Sequence, residues 1–525
     1  MAVRALTLEQ RTARDEAPKV MLGGFAAMAE SAWMGSIQAT EVLEPLRTAP
    51  AAGRGLQAIV PRLPRIQLAG LLTREFSIAE ASFILMASFF TWAMLGAVRQ
   101  VLFNAGFGVG MEANAYYAAF RLPDTLFSLI AGGALSSAMI PVLLSTKREE
   151  GEAAGWRLIS LVLTTLMSFF AVLVLAVELF TPAFVNYLLA PGFDAETSRL
   201  TVTLTRIMLI QPLILSIGSV ATAVLNSRNQ FLLTALSVVS HNVALIAGIL
   251  AAQLFPGLGI YGPTLGVVGG GLLQVLILLP GLLGPGSQVR LAWNVADQRL
   301  REIIRLLIPN GASVSVNYAG FIVDTAFATK ASQAAGLPAL YNAFLLVGLP
   351  IALLGQAVGQ AAFPRLAAHA DAGDWARMRR TLLQSLGAVV GLAIPAVGAL
   401  FLLGRLTIRI LFERGKFTAD AGDLTYSVLM VYAIALPAYV GTEVITRGLI
   451  ALRDTRTPLM TNTLQLAGRA LIMALFVSQF GIIAIPAALA VTATLETVTL
   501  GSVLLLKLRQ RTHSEQKMSS PWAGK

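Results

Sequence analysis

The stretch AYYAAFRLPDTLFSLIAGGALSSAMIPVLL, residues 115–144, is long and apolar enough to cross a bilayer, yet it carries Arg121, Pro123, Asp124 and the pair Gly132-Gly133. About 20 predominantly apolar residues span the hydrocarbon core as a helix. A proline removes one backbone hydrogen bond from such a helix and permits a bend. A run of small residues lets neighbouring helices approach closely. The spacing of Arg121 and Asp124, one turn apart, predicts that each offsets the other's burial cost.

The rest of the chain repeats this character. Of its 525 residues 56% are hydrophobic and 13% charged, well below the quarter or so usual in soluble domains. The apolar runs are continuous rather than alternating, which argues for helices and against a β-barrel. Twelve spans are expected, near 79–103, 115–144, 157–182, 200–225, 232–254, 260–283, 300–329, 338–367, 380–404, 424–450, 459–480 and 483–507. Residues 1–75 hold scattered Arg, Glu and Pro without a spanning stretch and are expected to form a partly disordered cytoplasmic extension. Residues 511–525 are expected to form a cytoplasmic tail.

Charge sets the expected orientation. Lys147, Arg148, Arg157, Arg228, Arg290, Arg299, Arg301, Arg305, Arg365, Arg377, Arg379, Arg380, Arg447, Arg453, Arg456 and the tail from Lys507 fall on one set of loops. The alternate set holds far fewer cations, mostly within 405–416. The basic set is expected to face the cytoplasm, with both termini. That accounts for the net charge of +11 without invoking nucleic acid.

The two halves of the chain resemble each other. APGFDAETSRLT matches ERGKFTADAGDLT, setting Gly192 against Gly415. AVLNSRNQF parallels IALRDTRTP at nearly the same offset, and Leu122-Pro123 recurs as Leu349-Pro350. Six spans repeated in the same orientation predict two parallel six-helix bundles, 76–285 and 286–510, around a central cavity, the architecture of many alternating-access transporters. Pro123, Gly132, Gly133 and Pro350 are the expected hinges.

Nothing points to catalysis. There is no cysteine, which excludes disulfides and thiolate metal sites, and His241, His369 and His513 are far apart in sequence. No enzyme, metal or cofactor is expected. GFGVG at 106–110 follows a span rather than a strand, so it is not read as a phosphate loop. The informative residues are ionisable groups inside spans, which are costly unless they face a cavity or a partner. They are Arg99, Arg121, Asp124, Arg206, Asp324, Lys330, Glu443, Arg447, Arg469 and Glu496. Of these, Arg206, Lys330, Arg447 and Glu496 are expected near helix ends, reaching headgroups. Asp324 lies mid-span, in GFIVDTAFA.

The segment LGAVRQVLFNAGFGVGMEANAYYAAFRLPDTLFSLIAGGALSSAMIPVL (95–143), together with APGF (190–193), LNSRNQF (225–231), VDTAFA (323–328), LFERGKFT (411–418) and ALRDTRTP (451–458), resembles the MurJ/MviN family of lipid II flippases. That family belongs to the multidrug/oligosaccharidyl-lipid/polysaccharide exporter superfamily, and the resemblance runs from the first span to the last. It implies a flippase of the cytoplasmic (inner) membrane that moves a polyprenyl-linked peptidoglycan precursor by alternating access, in the service of cell-wall synthesis and cell shape. The partners implied are a lipid-linked oligosaccharide and membrane lipids. Coupling is implied to a monovalent cation or the membrane potential. The resemblance makes Arg99, Arg121 and Asn114 substrate-binding residues and Asp324 a coupling or cation-site residue. The family's charges otherwise thin out here. Gln100 follows Arg99 where an acid is expected, Asn114 replaces an aspartate, Ala93, Phe127 and Leu345 replace arginines, and Gly132 a glutamate. Two other readings stay open: a divergent exporter of another amphiphile, and a non-transporting scaffold for wall assembly.

Overall fold

The computed structural model describes residue 74 and residues 76–131, 134–283, 286–331 and 335–519. Apart from Arg74, the expected extension lies outside these residues, as do Gly132, Gly133 and the end of the tail. Among the described residues all regular structure is helical. The first half comprises α1 (Ile78–Phe107), α2 (Met111–Ala131), α3 (Ala134–Glu150), α4 (Glu152–Ala183), α5 (Ala195–Met208), α6 (Ile210–Ser227), α7 (Phe231–Leu254) and α8 (Tyr261–Leu278). The second half follows in the same order as α9 (Gln298–Lys330), α10 (Gly336–Pro350), α11 (Ala357–Asp371), α12 (Trp375–Leu411), α13 (Ala419–Ile434), α14 (Leu436–Ala451), α15 (Arg456–Phe480) and α16 (Ala484–Ser519).

Short polar caps fix where these helices begin. Ser77 and Glu80 form a reciprocal capping box at α1, and Asp194, Asp297, Asp374 and Thr418 accept from the first free backbone N–H groups of α5, α9, α12 and α13. Each cap replaces the intrahelical partner that a helix start lacks.

The internal repeat is visible in the packing. α1 packs on α7 as α9 packs on α15; α2 on α5 as α10 on α13; α3 and α4 on α6 as α11 and α12 on α14; α8 on α7 as α16 on α15. The halves meet along a seam where α9 packs against α2 and α3, and α10 against α2. At the GGG of 269–271, a Cβ on Gly270 would lie 2.6 Å from His241 Nδ1, so the small residue lets α8 close on α7.

Eight stretches are long and apolar enough to cross a membrane, and a ninth if α13 and α14, bent by 43°, form one span. One of the eight, Arg456–Thr512, doubles back at Gly481: Thr461 Oγ1 meets Glu496 Oε1 at 3.3 Å and Gly468 abuts Thr492. The expected twelve crossings are not reached by this measure. The shortfall lies in α2, α3 and α9, which carry Arg121 and Asp124, the run KREE at 147–150 and the run QRLREIIR at 298–305. Arg121 and Asp124 face the seam, whereas the two charged runs sit at largely exposed helix ends. The expected single span 115–144 is divided between α2 and α3, with helix on either side of the glycine pair.

Candidate functional site

One face of α1 presents Arg99, Gln100, Phe103 and Asn104, residues one turn apart, toward α2, α7 and α10. Arg99 donates from Nη1 to Asn242 Oδ1 at 3.2 Å and from Nη2 to Tyr341 Oη at 3.3 Å. Asn242 is in turn fixed by donating to the Trp92 carbonyl at 3.1 Å. The guanidinium is thus oriented by neutral groups, and among the described residues no carboxylate forms an ion pair with it. Beside it, Gln100 Nε2 reaches Tyr117 Oη at 2.6 Å and Asn342 Oδ1 at 2.7 Å, and Asn104 Nδ2 reaches the same Asn342 oxygen at 3.1 Å. All four side chains are buried. This amide cluster ties α1 and α2 of the first half to α10 of the second.

A narrow pocket opens over this cluster, walled by Arg99, Arg121, Phe103, Tyr116, Phe120 and Tyr341. Arg121 does not pair with Asp124 as its spacing suggested. Its guanidinium lies 5.2 Å from the ring of Phe321 and 5.7 Å from that of Tyr341, both from the second half. The aromatic faces across the seam add cation–π stabilisation to whatever the nearby acid supplies. Asn114 is buried on α2 but does not line the pocket. Pro123 lies inside the continuous helix α2, and Pro350 ends α10, where six residues of π-helix (Ile351–Gln356) begin.

Asp324 sits at the matching place in the second half, on α9 as Arg99 is on α1. Its carboxylate is ion-paired with Arg469 of α15, and the two side chains are only 12% and 8% exposed. Arg469 itself occupies on α15 the place that Asn242 has on α7. The two sites are therefore copies of one helix–helix contact, with different chemistry. Three more of the ions singled out in the spans are partnered within their own half: Arg206 with Glu178 at 3.5 Å, Arg447 with Glu443 at 4.0 Å, Glu496 with Thr461. Lys330 lies 5.4 Å from the ring of Phe327.

The pairing of Asp324 with Arg469 and the amide cluster were not anticipated. Gln100 and Asn104 do show the one-turn polar spacing that marks a buried helix face, and the repeat offset would have matched 324 and 469 to 99 and 242.

Comparison with known proteins places the chain. The family profile "Lipid II flippase MurJ" matches residues 103–520. The lipid II flippase MurJ of Burkholderia cenocepacia is 31% identical over 378 residues, covering 69% of this chain and 71% of the relative. The probable lipid II flippase MurJ of Rhizobium tropici is 28% identical over 379 residues, 71% of each chain. Among solved structures, a lipid II flippase MurJ in an inward closed conformation superposes with a TM-score of 0.68 at 23% identity, covering 81% of this chain and 90% of that one. An inward-facing multidrug resistance MATE family transporter gives 0.68 at 14%, with 82% and 96% covered. The chain belongs to the MurJ family of lipid II flippases, and is a multi-pass membrane transporter rather than an enzyme.

Proposed function

We propose that the protein carries lipid II, or a closely similar polyprenyl-linked, pyrophosphate-bearing glycan, across the cytoplasmic membrane by alternating access between its two six-helix bundles. The observation that carries this reading is the state of Arg99. It is oriented by Asn242 and Tyr341, and among the described residues no carboxylate forms an ion pair with it. A half-buried guanidinium so held still has N–H donors left over for a phosphate. Arg121 would add charge, and Asn114 would act by shaping the α2 face rather than by direct contact. Pro123, Pro350 and the Gly132-Gly133 pair are the proposed points of bending. The basic loops, and both termini, would face the cytoplasm.

Asp324 is read here as structural rather than as a cation ligand. Arg469 already supplies its counter-charge, and among the described residues no three His, Asp or Glu side chains converge.

Complementation tests the reading. Expression in a strain depleted of its own lipid II flippase should restore growth and cell shape. Failure to do so by well-expressed, membrane-inserted protein would remove lipid II as cargo. A second reading has one observation behind it: Phe127 and Leu345 stand where the family carries arginine, and the pocket wall is mostly aromatic. A less charged amphiphile would suit such a wall, and transport of another lipid-linked sugar in liposomes, without lipid II transport, would establish it.

A further inference from the structure

Two loops at the ends of repeat-matched helices touch the opposite half of the molecule, and they do so reciprocally. APGFD (190–194) precedes α5, and ERGKFT (413–418) precedes α13. Gly192 N donates to Thr329 Oγ1 at 3.1 Å, at the end of α9. Lys416 N donates to the Ala105 carbonyl at 2.9 Å, at the end of α1. Each loop of one half therefore caps the first helix of the other, as a pseudo-two-fold axis requires.

At both places backbone also lies close against backbone. A Cβ on Gly192 would lie 2.3 Å from the Thr329 carbonyl oxygen, and one on Gly415 would lie 2.2 Å from that of Ala105. Gly108, just past α1, would bring a Cβ to 2.3 Å of the Lys416 carbonyl oxygen. Gly415 and Gly108 also hold φ of +56° and +63°, a region that L side chains rarely adopt. No other residue fits these three places without moving the halves apart. The loops are also firmly seated. Asp194 and Thr418 cap the helices that follow, and Phe412 and Phe417 are buried against each other with ring centroids 6.3 Å apart.

The position relative to the pocket gives these contacts their meaning. Ala105 and Thr329 lie between one and two turns beyond Arg99 and Asp324. At a rise of about 1.5 Å per residue, the contacts lie roughly 8–9 Å along α1 and α9 from the charged sites, on the side away from the basic loops. At the basic side the halves are joined by Arg299 with Glu149, and with Glu150 at 3.3 Å, partly exposed ion pairs that water and salt weaken. One end of the seam is closed by interlocked backbone, the other by screened charge.

We infer that the Gly192 and Gly415 loops, with Gly108, form the outer gate of the transport cycle, and that cargo leaves only when both contacts part. This rests on the alternating-access reading above. The absence of native cysteine makes it directly testable. Ala105→Cys with Lys416→Cys joins residues already neighbours through a backbone bond, a spacing that a disulfide can bridge. In proteoliposomes the pair should cross-link on oxidation, stop lipid II translocation, and recover it on reduction. A pair that fails to cross-link, or a cross-linked protein that still transports, overturns the gate.

A second readout needs no cargo. In a Phe120→Cys background, a membrane-impermeant maleimide added from the loop side should label the pocket severalfold faster once Gly192→Ala or Gly415→Ala props the seam open. Gly398→Ala, which meets nothing within 4 Å, is the control. Labelling no faster than this control overturns the gate. If the wild type does not move lipid II, the cargo reading falls, while the labelling still decides the gate.

Discussion

The contact between α1 and α7 and its copy between α9 and α15 occupy equivalent places in the two halves, yet they treat charge in opposite ways. The first holds a cation, Arg99, between an amide and a phenol. The second pairs its cation, Arg469, with Asp324 inside the protein. A half-buried cation without an ion-pair partner costs something to keep, and the first half keeps one. The second half has given up its free charge and closed the contact. Equivalent places in the two halves thus hold a cation without an ion-pair partner in one case and a buried ion pair that joins two helices in the other.

The largest effect is expected from breaking the closed copy. Arg469→Ala leaves Asp324 buried without a counter-charge, and losing one partner of such a pair costs about 3–5 kcal/mol. Thermal denaturation in detergent should show a large drop in Tm or loss of folded protein. The double variant Asp324→Leu, Arg469→Met should recover most of it, because no lone charge remains.

Converting the open copy into the closed one is the more discriminating change. Asn242→Asp gives Arg99 an acid of its own, as Asp324 serves Arg469. Translocation should fall about tenfold, equivalent to roughly 1.4 kcal/mol of lost anion binding, while Tm holds or rises. A parallel fall in Tm would mean that the substitution merely damages the contact.

A smaller difference lies in the turn after the sixth helix of each half. Burial would raise the carboxyl of Asp454, but hydrogen bonds from Lys507 and Thr457 prevail and hold it down, at about 2 against an ordinary 3.8. The first half has Ser227 at the matching place. A carboxyl depressed in the folded state stabilises at pH above its unfolded value, and that contribution is lost as pH falls toward the folded one. Stability should therefore decline between about pH 4 and pH 2, and Asp454→Asn should flatten the decline. An unchanged pH profile in that variant would rule out the ion pair as its source.

The helical class, the repeat and the family were legible because they are written in runs and spacings: apolar stretches of membrane length, Leu-Pro at 122 and 349, glycine at 192 and 415. The site was legible only in part. Arg99 and Asp324 stand out as charges in apolar helices, but their partners Asn242 and Arg469 lie several helices further along the chain, and only folding brings them together. Local spacing was only part of the answer at Arg121, where the i,i+3 acid forms no contact ion pair and rings of the other half also take up the charge. Helix position fixes which residues are neighbours along one helix. It does not fix which face turns to the seam, where Phe321 and Tyr341 from the other half lie 5.2 and 5.7 Å from the guanidinium. The glycines of the loops were visible as a repeat, but their role needed the backbone opposite them.

The proposed role of Arg99, receiving the headgroup phosphate, is tested most directly by lipid II translocation in proteoliposomes of wild type and Arg99→Ala, with Tm measured on the same preparations. Robust translocation is expected from the wild type and near-background translocation from Arg99→Ala, with similar Tm, since removing the cation strands no acid. Equal translocation by the two proteins would contradict this role for Arg99.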